Sequence, residues 1–149
     1  MPISDWSTAV LCIDADLQEF ETDVLQWTSS LAVAAKWRAK AKELIGERLD
    51  RQLRTIELAT EEADVKDLIG NIPILKTSAC YLSLHLIAND VSHASGDLYD
   101  RKAEMYFDKY ATEIENAMIM LQVDVDESGT IEDTEKGAAP TGVTFKHGG

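Results

Sequence analysis

The residues with the clearest capacity for chemistry lie in DVDESGTIEDTE, residues 124–135. A calcium ion takes about six to eight oxygens, and an EF-hand loop supplies them at fixed offsets around a sharp glycine turn. Here Asp124 and Asp126 would offer carboxylates, Ser128 its hydroxyl and Thr130 its carbonyl. Glu132 would act through water and Glu135 would bind through both oxygens, with Gly129 at the turn and Ile131 at the apolar position. The flanks fit less well. A helical pattern precedes the loop, but Lys136, Gly137 and Pro140 leave an exiting helix barely a turn, and no second loop pairs with this one. The stretch therefore reads either as a weak calcium site or as a solvated acidic turn.

Other reactive types do not assemble. His85 sits in an apolar run and is expected to be an interior histidine. His93 follows beside Asp90 with no third ligand spaced to them, and His147 stands alone near the end. Cys12 and Cys80 lack metal spacing and are expected as buried or half-buried reduced thiols. No nucleophile motif and no Gly-rich phosphate loop before a helix is present, so the chain is read as a non-enzyme.

Charge narrows the function further. At 149 residues, 45% hydrophobic and 28% charged, the chain has the composition of one soluble domain. Its net charge of −13 argues against general nucleic-acid binding, which draws affinity from Lys and Arg meeting phosphate. It favours basic surfaces or cations as partners. MPISDWSTAVLCIDAD lacks the basic and apolar regions of a signal peptide. ACYLSLHLIA, residues 79–88, is far too short to span a bilayer. Cytoplasmic synthesis and no membrane contact are expected.

The elements that must position these groups are helical. In DADLQEFETDVLQW, Asp14 is the expected N-cap of a stripe formed by Leu17, Phe20, Val24 and Leu25. From Leu31 to about Ile56 the chain holds good helix formers and one glycine. Trp37, Ala41, Leu44, Ile45, Leu49, Leu53 and Ile56 share its apolar face. Its polar face sets seven basic side chains against three acidic ones, so the remaining chain carries −17. A loop and short helix follow from Thr60, stopped by Gly70. Pro73 opens a helix to about His93 that is apolar on most sides, as a central or covered helix would be. Asp97 is the expected cap of a last helix whose face runs through Leu98, Tyr99, Ala103, Tyr106, Phe107, Tyr110, Ile114, Ala117, Met118 and Leu121. Trp6 and Trp27 follow no period and suit either internal packing or an intersubunit contact.

After Gln122 the periodicity ends in acidic residues and KGAAPTGVTFKHGG, a Gly- and Pro-broken stretch. The expected fold class is all-α, a small bundle of about four helices with an extended acidic C-terminal arm. The division is a helical domain over residues 1–121 and an arm over 122–149.

The order of these parts carries a resemblance. A DADL opening (Asp14 to Leu17) leads to a long Lys/Arg-rich helix, an apolar helix and a Tyr-rich helix, YDRKAEMYFDKYATEIENAMIMLQ. That last helix runs into LQVDVDESGTIEDTE. The arrangement resembles the small head-to-tail connector, or adaptor, proteins of tailed-bacteriophage necks. The likeness covers most of the chain in architecture and is sharpest at the junction of the last helix and the Asp-rich segment.

The resemblance implies a structural virion protein, made in the host cytoplasm and resident in the neck. Copies would form a ring of about twelve subunits joining the portal protein to a downstream neck or tail-completion protein. Genomic DNA would pass without specific binding, since carboxylates repel a polyanion. Arg38, Arg48 and Arg51 would offset repulsion at subunit or portal contacts. Asp124, Asp126, Ile131, Val143 and Phe145 would meet a neighbour through the arm, and no cofactor is implied. Two other readings stay open: a calcium-binding helical interaction module, and a plain regulatory four-helix bundle.

Overall fold

The computed structural model describes residues 3–28, 30–54, 64–92, 96–126, 128, 130 and 131. The protein is all-α. Five α-helices run in the order α1 (Asp14–Gln18), α2 (Val24–Trp27), α3 (Leu31–Leu53), α4 (Lys76–Val91) and α5 (Leu98–Met120) among the described residues. Two 3-10 turns, Val65–Leu68 and Ile72–Leu75, lead into α4. No strand occurs among the described residues, only an isolated antiparallel bridge between Ile69 and Val123. None of their helices is long and apolar enough to cross a membrane.

The chain divides into two units. One is formed by Val10–Ile45 and Leu75–Ile114, the other by Met1–Ala9, Gly46–Ile74 and Glu115–Gly149.

In the first unit α4 is the enclosed helix. Ser78, Ala79, Cys80, Leu82, Ser83, Leu84, Ile87 and Ala88 are all buried along it, which is why its sequence lacks a polar face. Leu17, Val24, Ala34, Ala41, Ile45, Ala103, Tyr106, Tyr110 and Ile114 are also buried there. Leu98 and Phe107, placed on the apolar face by periodicity, are instead 54% and 48% exposed. The i+3/i+4 stripe that faces inward runs through Ala103, Tyr106, Tyr110 and Ile114, and those two side chains fall outside it.

Helix starts follow local hydrogen bonding. Asp97 accepts from the Asp100 amide at 2.7 Å, the bond expected of an N-cap, and Gly96 precedes it with φ at +84°, where a side chain would be strained. Asp14 does not cap α1. It is the first helical residue, and its carboxylate turns to Arg38. The cap position belongs to Ile13, whose amide is satisfied by Asp16 Oδ2 at 2.9 Å. The pattern over residues 14–27 is also broken into two short helices by turns at residues 19–20 and 22–23. Glu21 in this break reaches Lys102 and Tyr106, and Phe20 lies against Tyr81 with ring centroids 5.1 Å apart.

In the second unit the single glycine of α3 has a packing reason. A Cβ at Gly46 would stand 3.2 Å from Trp6 Nε1, so the bare backbone admits the indole. Trp6 is held there by its amide on Asp67 Oδ1 at 2.8 Å, while the Ser4 amide donates to the Asp67 carbonyl. Leu49, Leu53, Leu68, Ile69, Met118, Leu121 and Val123 are buried in this unit. Packing therefore continues past residue 121. Asp124 N donates to Leu68 O and Gly70 N to Gln122 O, at 2.8 and 2.7 Å.

Candidate functional site

The acidic turn is organised by its own side chains. Asp124 Oδ1 and Asp126 Oδ1 both accept from the Ser128 amide at 3.1 Å. Ser128 Oγ lies 3.2 Å from Asp124 Oδ1 and 3.1 Å from the Thr130 carbonyl. Short polar side chains bonding backbone a few residues on are what makes Asp and Ser turn formers. Asp124 is fully buried, whereas Asp126, Ser128 and Thr130 are exposed. Ile131 returns to the body of its unit: a Cβ at Gly70 would collide with its Cγ1 and lie 2.8 Å from its Cδ1.

Of the six oxygens expected around calcium, the structure brings Asp124, Asp126, Ser128 and Thr130 into one turn. Glu132 and Glu135 lie outside the described residues, as do Gly129, Val143 and Phe145 of the expected arm and His93 and His147. Among the described residues no three His, Cys, Asp or Glu side chains are grouped to hold a metal. His85, placed in the interior by sequence, is half-buried, with Nδ1 2.8 Å from the Ala103 carbonyl and its ring against Phe107.

The basic face of α3 is partly occupied by the chain's own acidic and carbonyl groups. Arg38 Nε meets Asp14 Oδ1 at 3.0 Å, in an orientation poor for hydrogen bonding, so the contact is mainly Coulombic. The Arg38 guanidinium also reaches the Cys12 carbonyl at 3.4 Å. Arg48 pairs with Glu115 at 2.7 Å. Arg51 is exposed, as are Lys36, Lys40 and Arg54.

A second polar cluster escaped sequence reasoning. The Glu21 carboxylate accepts from Lys102 Nζ and from Tyr106 Oη, the latter at 2.5 Å. Lys102 Nζ lies 5.2 Å from the Trp27 ring centroid, and Trp27 packs edge-on against Tyr99. Tyr81 stacks on Tyr106, and Lys109 sits over both rings. Burial, then the hydrogen bond and charge of Glu21, push the Tyr106 phenol well above its ordinary range. Tyr106 is thus a neutral donor, a clasp rather than a proton carrier. Its signal in sequence is faint: an acidic residue interrupting an apolar stripe, with its partners in another helix.

Trp6 and Trp27 both make packing contacts within the chain. No family model, curated protein or solved structure matches this chain.

Proposed function

We propose that this chain is the connector subunit of a tailed-bacteriophage neck, forming an oligomeric ring that joins the portal to the tail and lines part of the DNA channel. The observation that carries the reading is apolar surface left in water by the unit built from Val10–Ile45 and Leu75–Ile114. Val10, Ile13, Leu31, Leu98, Met105 and Phe107 are each 40% exposed or more, at 69, 50, 60, 54, 40 and 48%. Burial against neighbouring copies or the portal removes such surface from water. The charge of −13 supports a channel wall that does not grip DNA. Lys36, Lys40 and Arg51 on α3, and Arg54 just after it, remain exposed to meet acidic neighbours.

Native mass spectrometry of the protein, alone and mixed with the portal protein encoded beside it, tests this. Closed rings or a stable portal complex are expected. A monomer in both samples at high micromolar concentration would refute the proposal.

A second reading, a helical interaction module with one calcium loop, is favoured by the convergence of the Asp124 and Asp126 carboxylates on the Ser128 amide, with the Ser128 hydroxyl also on Asp124. Calorimetry separates the two: the connector reading expects calcium binding weaker than micromolar or absent. A submicromolar site would favour the module.

A further inference from the structure

Cys12 and Cys80 are far apart in sequence but lie in one unit, with Cys12 against the stretch of α4 that carries Cys80. Cys12 Sγ lies 3.7 Å from Ser83 Oγ, and Ser83 stands three residues after Cys80 on the same side of α4. Both cysteines are free and buried, at 6% and 0% exposure. Cys12 belongs to a segment without regular secondary structure in which Leu11 and Cys12 are buried, while Val10 and Ile13 are 69% and 50% exposed. Arg38 holds the backbone of this segment through the Cys12 carbonyl.

We propose that Cys12 and Cys80 form a reversible dithiol–disulfide pair. Its oxidant is a low-molecular-mass disulfide such as oxidised glutathione, and its product is a covalent clamp between the 10–13 segment and α4. The asymmetry of the thiols orders the exchange. A hydrogen bond from Cys80, aided by Ser83 and by the charge of Arg38, draws the Cys12 thiol below its ordinary range. The same hydrogen bond, with burial, pushes the Cys80 thiol up. Cys12 gives its proton to solvent and attacks one sulfur of the glutathione disulfide, expelling glutathione thiolate and leaving a mixed disulfide. Cys80 then loses its proton, attacks Cys12 Sγ and expels the second glutathione. The protein loses two protons and two electrons, and one glutathione disulfide takes up their equivalent to become two thiols. The clamp sets the position of the exposed Val10 and Ile13, and it does not depend on the connector reading.

Because burial slows access, the test is an equilibrium one. The full chain is unfolded, then refolded in buffers of fixed oxidised-to-reduced glutathione ratio, and matched samples are left in denaturant. Free thiols are alkylated and intact masses are read. In native buffer the intramolecular disulfide should form at a reduced-glutathione excess about a hundredfold greater than in denaturant. By linkage the oxidised protein melts higher than the reduced one, by on the order of 10 °C. Cys12→Ser and Cys80→Ala should each abolish this shift. An equal or smaller preference for the disulfide in native buffer would overturn the proposal. So would double glutathione adducts, disulfide-linked dimers, or a clamp that leaves the melting temperature unchanged.

Discussion

The Glu21 carboxylate finds its partners 81 and 85 residues away in the chain, whereas Ser128 finds its own within four. Around Glu21 the donors come from α5 and the rings from α2, α4 and α5, with side-chain exposures of 13% for Glu21 and 24% for Lys102. Around Ser128 the groups are mostly in water, and only Asp124 is buried. The first arrangement exists only when tertiary packing is complete, and it joins elements that have no local reason to meet. The second is a local turn whose bonds compete with water and add little net stability. Its attachment to its unit depends on Ile131 and the backbone of residues 68–70 instead.

Breaking the long-range cluster should have the largest effect. Tyr106→Ala removes a ring that is 3% exposed, together with a donor to Glu21, and should cost about 3–5 kcal/mol in urea unfolding. Tyr106→Phe, which loses only the hydroxyl, should cost about 1–2 kcal/mol. Equal losses for the two variants would mean that packing around the ring contributes nothing.

Next comes the attachment of the acidic turn. Gly70→Ala sets a Cβ against Ile131 and should cost about 1–3 kcal/mol. Ile131→Ala in the same chain should restore most of that loss. A double variant no better than Gly70→Ala would show that the clash lies elsewhere.

A smaller effect is expected at α1, and only in acid. The Ile13 amide, and then Lys76, lower the Asp16 pKa below its ordinary value. A lowered folded-state pKa stabilises the protein above the unfolded-chain value of about 4, and this contribution is lost as pH falls through the folded value. Melting temperature should therefore fall more steeply below about pH 4 in the parent than in Asp16→Asn. Parallel pH profiles would remove Asp16 from the account.

The smallest change is expected inside the acidic turn. Ser128→Ala removes exposed hydroxyl contacts and should shift stability by less than about 0.5 kcal/mol. A larger loss would make the turn as integral to its unit as Tyr106 is.

Much of this fold was legible in sequence because its information is local. Trp37 to Leu53 repeats at helical intervals, Asp97 and Asp100 mark a helix start, and the apolar-rich run of residues 79–88 announces an enclosed helix. Such signals need only one element and its period. The turn at Asp124–Thr130 belongs to the same class, since its hydrogen bonds close within a few residues. What Asp14 and Glu21 do was not legible. A carboxylate at a plausible cap position is free to choose a more distant cation, and Asp14 takes Arg38 where the local rule assigned it to its own helix.

By itself the sequence determined the all-α class, the extents of the long helices to within a few residues and the excess of negative charge. Each follows from side-chain chemistry acting over about one helical turn. Only the tertiary structure decided that Glu21 meets Lys102 and Tyr106, that Trp6 rests on Gly46, that Ile131 seats on Gly70 and that Cys12 faces α4 beside Cys80. Those pairings depend on which faces are brought together when apolar surface leaves water, and burial is non-directional: it rewards contact without naming the partner.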